Sequence, residues 1–188
     1  MNMLAPEDLR PFKLRIEDYE LLDGAGAFAM QRVELIEGVV VTVNSEHLPH
    51  TRLKNELMFR LRIALRDQTM AFDAFVEASL ALPPYDMPDA DIVVADSGAR
   101  GTYLGTADVA IVIEVAASSL RTDLGVKKRL YATHGIPEYW VADVTGRQVH
   151  QFWAPHDGDY RDTRIVPLAG PIASVTQPDL VIDGTGIL

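Results

Sequence analysis

DVAIVIEVAASSLRTDLGVKKRLYA, residues 108–132, decides how this chain folds. Val109, Ile111, Ile113 and Val115 alternate with Ala110 and Val112, so both faces of the run are apolar. That is the pattern of a strand buried in the middle of a sheet. Glu114 interrupts it. An ionised carboxylate in such a place is costly unless a cation or a hydrogen-bond donor stands beside it. Further on, Lys127 and Lys128 fall in a segment, about Ser119 to Thr133, that reads as the next helix. A second acid, Asp91, opens another apolar run, Ile92-Val93-Val94-Ala95. Two carboxylates on neighbouring strands, with a helix lysine brought over them, would suit a hard cation and the hydrolysis of a phosphodiester. The plainer alternative is a structural salt bridge between Glu114 and Lys127. Breaking a buried pair costs about 3–5 kcal/mol, so stability alone would retain it.

Outward from this stretch, Ser118 or Ser119 can cap the helix, and Gly135 with Pro137 stops it. Glu138 to Val144 reads as a strand, and a turn at Thr145-Gly146-Arg147 returns Gln148 to Trp153 as its antiparallel partner. Strand, helix, strand implies one right-handed parallel crossover in an otherwise antiparallel sheet. Upstream, residues 96–107 form a loop and Phe72 to Leu82 a strand halted by Pro83-Pro84. Leu53, Leu57, Leu61, Ala64 and Leu65 recur at helical spacing, which predicts the longest helix, from about His50 to Gln68. Residues 32–36 and 39–43 flank Glu37-Gly38 as a β-hairpin. A short helix is expected from Ile16 to Leu22, after a loosely held arm over residues 1–15. Downstream lie a weak strand near Tyr160–Val166 and an edge segment at Leu180–Ile182. The expectation is an α/β fold: a mixed central β-sheet flanked by helices, with an N-terminal β-hairpin, in one domain over residues 16–188.

Composition narrows the chemistry. The chain has 188 residues and no cysteine, which removes disulfides, thiolate nucleophiles and Cys-ligated metals. No signal-peptide core or membrane-length apolar run is present, so a cytoplasmic location without membrane contact is expected. A net charge of −10 works against a broad nucleic-acid surface. Local basic patches are Arg52, Lys54, Arg60, Arg62 and Arg66, or Arg121, Lys127, Lys128 and Arg129. The first group reads as solvated helix faces, and Lys128 likewise.

VIEVAASSLRTDLGVKKRLYATHGIPEYWVAD, with VELIEGVV near the start and PDADIVVAD in the middle, resembles the Uma-type restriction-endonuclease family. That family belongs to the PD-(D/E)xK nuclease-like superfamily, and the resemblance runs from about Tyr19 to Leu188. It implies a restriction-endonuclease-like fold and a metal-dependent enzyme cutting DNA phosphodiesters. By the resemblance, Asp91 and Glu114 would ligate Mg²⁺ (or Mn²⁺), with the Val115 carbonyl as a further ligand and Lys127 as the catalytic lysine. Asp89, directly after Pro88, is the rival to Asp91. Glu34, Glu37 and His50 match accessory positions, although a solvated turn acid and a surface histidine are the plainer readings of Glu37 and His50. The chain departs from the superfamily pattern in one place: the residue two beyond the glutamate is Ala116, so the lysine is displaced to the following helix. Asp123 reads as an early-helix acid favoured by the helix dipole. A non-catalytic descendant, a binding or assembly module on the same fold, is the second reading, favoured by the acidic balance. A homodimer is expected from the apolar hairpin carrying Phe152 and Trp153, and Tyr139 and Trp140 are expected in a core or a subunit contact.

Overall fold

The computed structural model describes residues 11–43, 47–68 and 70–188. Most of the expected arm, residues 1–10, lies outside the described residues, and residues 11–15 have no regular structure. Contacts divide the chain into a smaller unit, Met1–Asn44 with Ala81–Pro88, and a larger one, Ser45–Leu80 with Asp89–Leu188.

The smaller unit holds α1 (Ile16–Gly24) and the hairpin β1 (Val33–Ile36) and β2 (Val39–Thr42). Asp18 accepts the Arg15 N–H at 2.9 Å and so fixes the start of α1. Glu37 and Gly38 both take positive φ, 51° and 79°, as a two-residue primed turn requires. The register follows from that turn, with Ile36 opposite Val39 and Val33 opposite Thr42. Asp86 accepts the Glu37 N–H at 2.5 Å, and the backbones of Leu35 and Met87 bond each other, so residues 81–88 line one side of the hairpin.

The larger unit begins with α2 (Leu48–Asp67), followed by β3 (Phe72–Ala81), β4 (Asp89–Asp96), the two-residue β5 (Leu104–Gly105) and β6 (Val109–Ala116). After β6 come α3 (Leu120–Thr122), a π-helical turn (Asp123–Lys127) and α4 (Lys128–Thr133). The chain then forms β7 (Glu138–Asp143), β8 (Gln148–His156), β9 (Asp159–Pro167), β10 (Pro171–Ala173) and β11 (Val181–Asp183). Seven strands form one sheet in the order β5-β3-β4-β6-β7-β8-β9. β6 and β7 pair in parallel, whereas β3 with β4, β4 with β6, β7 with β8 and β8 with β9 are antiparallel. The sheet is therefore mixed, as the strand–helix–strand pattern requires.

Every residue of β6 and β7 is buried, because each strand has neighbours on both edges and cover on both faces. On one face Leu53, Leu57, Leu61 and Leu65 of α2 pack with Ile92, Val94, Ile111, Ile113, Val115 and Trp140. Burying each leucine contributes about 1.5–3 kcal/mol. A second cluster joins Tyr131, Tyr139, Phe152 and Tyr160, with ring centroids 5.0–6.3 Å apart. Phe152, which motivated the expectation of pairing, is spent inside this cluster.

Several features differ from the sequence reading. The helix expected over 119–133 is divided by the π turn. Ser119 is the N-cap residue but makes no capping bond with its side chain. The C-terminal edge segment has a partner, β10, which three residues next to Gly170 were too few to signal. Basic residues expected on solvated faces are also engaged. Arg62 pairs with Asp73 at 2.9 Å, Arg60 donates to the carbonyls of Asp183 and Thr185, and Lys54 is buried. Lys128 lies 2.8 Å from Asp159 and 5.3 Å from the Phe152 ring centre, so it too is less solvated than expected. No described helix is long and apolar enough to cross a membrane.

Candidate active site

Strand register brings the two acids together before any side chain is considered. β4 and β6 pair Ile92 with Ile113 and Val93 with Val112. Asp91 and Glu114 are the next residues beyond the Ile92–Ile113 pair, at the end of the paired stretch. Asp91 Oδ2 accepts the Val115 N–H at 2.8 Å, which ties this carboxylate to the strand carrying Glu114.

The following helical segment supplies the amine. Ser119, Asp123, Lys127 and Tyr131 stand four residues apart. In an α-helix of 3.6 residues per turn such a series drifts around the axis. The π turn widens the helix locally, with the Lys128 N–H bonding the Asp123 carbonyl five residues back, and this offsets the drift. Lys127 Nζ reaches Glu114 Oε1 at 3.0 Å, and the Tyr131 hydroxyl donates to the same oxygen at 2.7 Å. Glu114 is 3% exposed and Tyr131 fully buried, so this contact is made away from bulk water.

On the other side, α2 brings His50 and Lys54 to Asp91. His50 Nε2 lies 3.0 Å from Asp91 Oδ2, and Lys54 Nζ lies 3.8 Å from Oδ1. The His50 side chain is only 12% exposed, so it is not the surface histidine of the plainer reading. Burial pushes the Asp91 carboxyl up, but the hydrogen bond and charge of His50, the Val115 N–H and the Lys127 charge outweigh it. Asp91 therefore stays below its ordinary value and is ionised at neutral pH. An ionised Asp91 requires a donor, so Nε2 of His50 carries a proton.

Asp123 behaves in the opposite way. Burial raises its pKa, with Asp91 adding to the effect, and the Ser119 hydroxyl and the charges of Lys127 and His50 do not overcome it. The dipole-favoured acid expected from sequence is a buried one, held at 2.5 Å by Ser119. A carboxyl whose pKa is raised by folding contributes its full stability below the unfolded value and loses it as the pH rises through the folded value. Asp123→Asn is therefore expected to raise the melting temperature at pH 7, on the order of 2 °C for a chain of this length. The gain should shrink as the pH falls into the range where the wild-type carboxyl protonates. Thermal melts across pH 3–8 check both the sign and the trend.

Asp91, Glu114, Lys127, Val115 and His50 thus gather in the larger unit. Asp89 does not join them; its Oδ1 accepts from Ser79 Oγ at 2.5 Å. Glu34 and Glu37 belong to the smaller unit, Glu34 buried in β1 and Glu37 exposed at the hairpin turn. Sequence reasoning missed Tyr131 and Lys54. The four-residue spacing back to Lys127 was the available signal for Tyr131. Among the described residues, no three His, Asp or Glu side chains form a ready-made metal cage. The donor set is two carboxylates on adjacent strands. That suits a hard divalent ion such as Mg²⁺, which takes one or two carboxylates and keeps most of its water. A cavity of about 360 Å³ is lined by Phe75, Glu77, Ser79, Thr102 and Tyr103 and includes none of the site residues above.

The fold has a counterpart among solved structures. A "putative nuclease belonging to DUF820" from Anabaena variabilis ATCC 29413 superposes with a TM-score of 0.64 at 15% identity, covering 84% of this chain and 89% of the other. At that identity the likeness speaks for the nuclease-like fold. No curated protein matches the chain. The Uma2 family model, described as "Putative restriction endonuclease", matches residues 16–183, nearly the whole length, and the chain belongs to that family.

Proposed function

We propose that this protein hydrolyses DNA phosphodiester bonds with the help of a divalent cation, Mg²⁺ or Mn²⁺. The observation that carries the reading is Asp91 bonded at 2.8 Å to the N–H of Val115, next to Glu114, with Lys127 3.0 Å from Glu114. Asp91 and Glu114 would hold the ion, with the Val115 carbonyl as a third donor. A cation bound there supplies polarisation of a phosphoryl oxygen and acidification of a water. Lys127 carries an ammonium that can orient the attacking water and stabilise charge developing on the phosphoryl oxygens. His50 fixes the Asp91 carboxylate and Tyr131 fixes that of Glu114, so both acids are oriented before substrate arrives.

The net charge of −10 favours the second reading, a binding module on the same fold, because it leaves no long-range attraction for DNA. A plasmid-nicking assay with Mg²⁺ or Mn²⁺ separates the two. Wild type is expected to nick, with Asp91→Ala and Glu114→Ala each reduced by at least about 10²-fold. Equal activity in all three proteins would mark a contaminant and favour the binding module.

A further inference from the structure

Lys54 is the basic residue whose placement departs most from a solvated helix face. Its side chain is 5% exposed, and lysine is almost never buried unless paired. Its ammonium lies 2.9 Å from Glu77 Oε1 and 3.8 Å from Asp91 Oδ1. Strand register explains why those two acids flank it. β3 and β4 pair Val76 with Ile92 and Ala78 with Ala90, and Glu77 and Asp91 lie between these pairs. Glu77 adopts φ of 50°, a left-handed conformation that costs a non-glycine residue energy and that its surroundings must hold in place. Glu77, Asp91 and Glu114 thus come from three neighbouring strands, with Lys54 reaching the first two and Lys127, from the π turn, reaching Glu114.

We propose that Lys54 is a positioning residue of this site. Anchored by Glu77, it holds the Asp91 carboxylate in place and keeps its affinity for a divalent cation low. This rests on the cation-dependent reading above. An ammonium has three donors and no acceptor, so Lys54 cannot ligate a metal; it competes with one. A positive charge about 4 Å from the carboxylate opposes an incoming dication strongly wherever water is largely excluded. A residue that only supported the fold would weaken metal binding and activity together on removal. Removal of Lys54 should instead move the two in opposite directions.

The test is Mn²⁺ binding to the full chain, followed by paramagnetic resonance, beside the nicking assay. Lys54→Met is expected to bind Mn²⁺ about tenfold tighter while nicking at least about tenfold more slowly. Lys54→Arg should return both toward wild type. Glu77→Gln frees Lys54 to draw closer to Asp91, so Mn²⁺ binding should weaken about threefold, and this loss should disappear in the Lys54→Met/Glu77→Gln double variant. Mn²⁺ binding in Lys54→Met that is equal to or weaker than wild type overturns the role of Lys54. A Glu77→Gln loss that persists in the double variant overturns the anchoring. If Lys54→Met does not fold, Glu77→Gln decides alone, since the Glu77 side chain is 49% exposed and tolerates the change; unchanged or tighter binding there overturns the proposal. Wild type that binds no Mn²⁺ sinks the cation reading itself and this inference with it, whereas binding with the wrong sign in the variants sinks only the inference.

Discussion

Alanine in place of Glu138 is expected to cost about 3–5 kcal/mol of stability through the several donors it leaves unsatisfied, one of the largest losses any single truncation in this chain should produce. Glu138 opens β7 with no exposed surface. Its hydrogen-bond donors are all uncharged: Trp140 Nε1 at 2.6 Å, Ser174 Oγ at 2.6 Å, the Val175 and Thr176 N–H groups at 3.1 and 2.8 Å, and Thr176 Oγ1 at 2.8 Å. Truncation would leave those donors facing an empty space. A buried donor without a partner costs about 1–3 kcal/mol, and not all of these can turn to water. The residues that bind this carboxylate also lead from β10 toward β11, so loosening them should expose that small sheet. Urea denaturation gives the magnitude, and hydrogen exchange at Val175 and Thr176 gives the location. Glu138→Gln keeps the shape and one acceptor, so it should lose less. A cost under about 1 kcal/mol for Glu138→Ala would show that the cluster is not worth what its geometry implies.

The second large effect concerns Lys127 and separates stability from chemistry. Lys127→Met should destabilise the fold by about 2–4 kcal/mol, because buried Glu114, still held by Tyr131, loses the ammonium 3.0 Å from it. The double variant Glu114→Gln/Lys127→Met removes both charges, and its stability should return to within about 1 kcal/mol of wild type. Nicking should be reduced by about 10²-fold or more in both proteins, since neither retains the lysine. A structural pair and a functional pair predict the same stability cycle and differ in activity. Nicking that recovers in the double variant would show that Lys127 matters only as a counter-ion. Denaturant unfolding and the plasmid assay on the same preparations give both readouts.

Much of the architecture was legible because its signals are local. Apolar residues on both faces of residues 109–116 can be accommodated only by a strand flanked and covered on all sides, and β6 is that strand. The hairpin followed from Glu37-Gly38, where a two-residue turn needs positive φ. Leucines at positions 53, 57, 61 and 65 located the buried stripe of α2. What stayed hidden depends on partners distant in sequence. Lys54 sits beside Leu53 at the margin of that stripe, and its burial depends on partners such as Glu77 and Asp91, contributed by two strands. Nothing in the composition of residues 123–127 distinguishes five-residue hydrogen bonding from the ordinary helical kind. The acid pair lay between these cases. Each carboxylate was visible beside its apolar run, but their approach rests on a register that residues 92–94 and 111–113 set together.

The wide turn at Asp123–Lys127 amounts to one extra residue wound into an otherwise regular helix. Each residue advances an α-helix by about 100° about its axis. Shortening this segment by a single position would therefore rotate Lys127 and Tyr131 about a quarter-turn away from Glu114, while Ser119 and Asp123 stayed where they are. The phase of the helix, set by a count of residues, is what aims the amine at the acid. A chain with every side chain of this corner intact but one fewer residue between Asp123 and Lys127 would lose the meeting point.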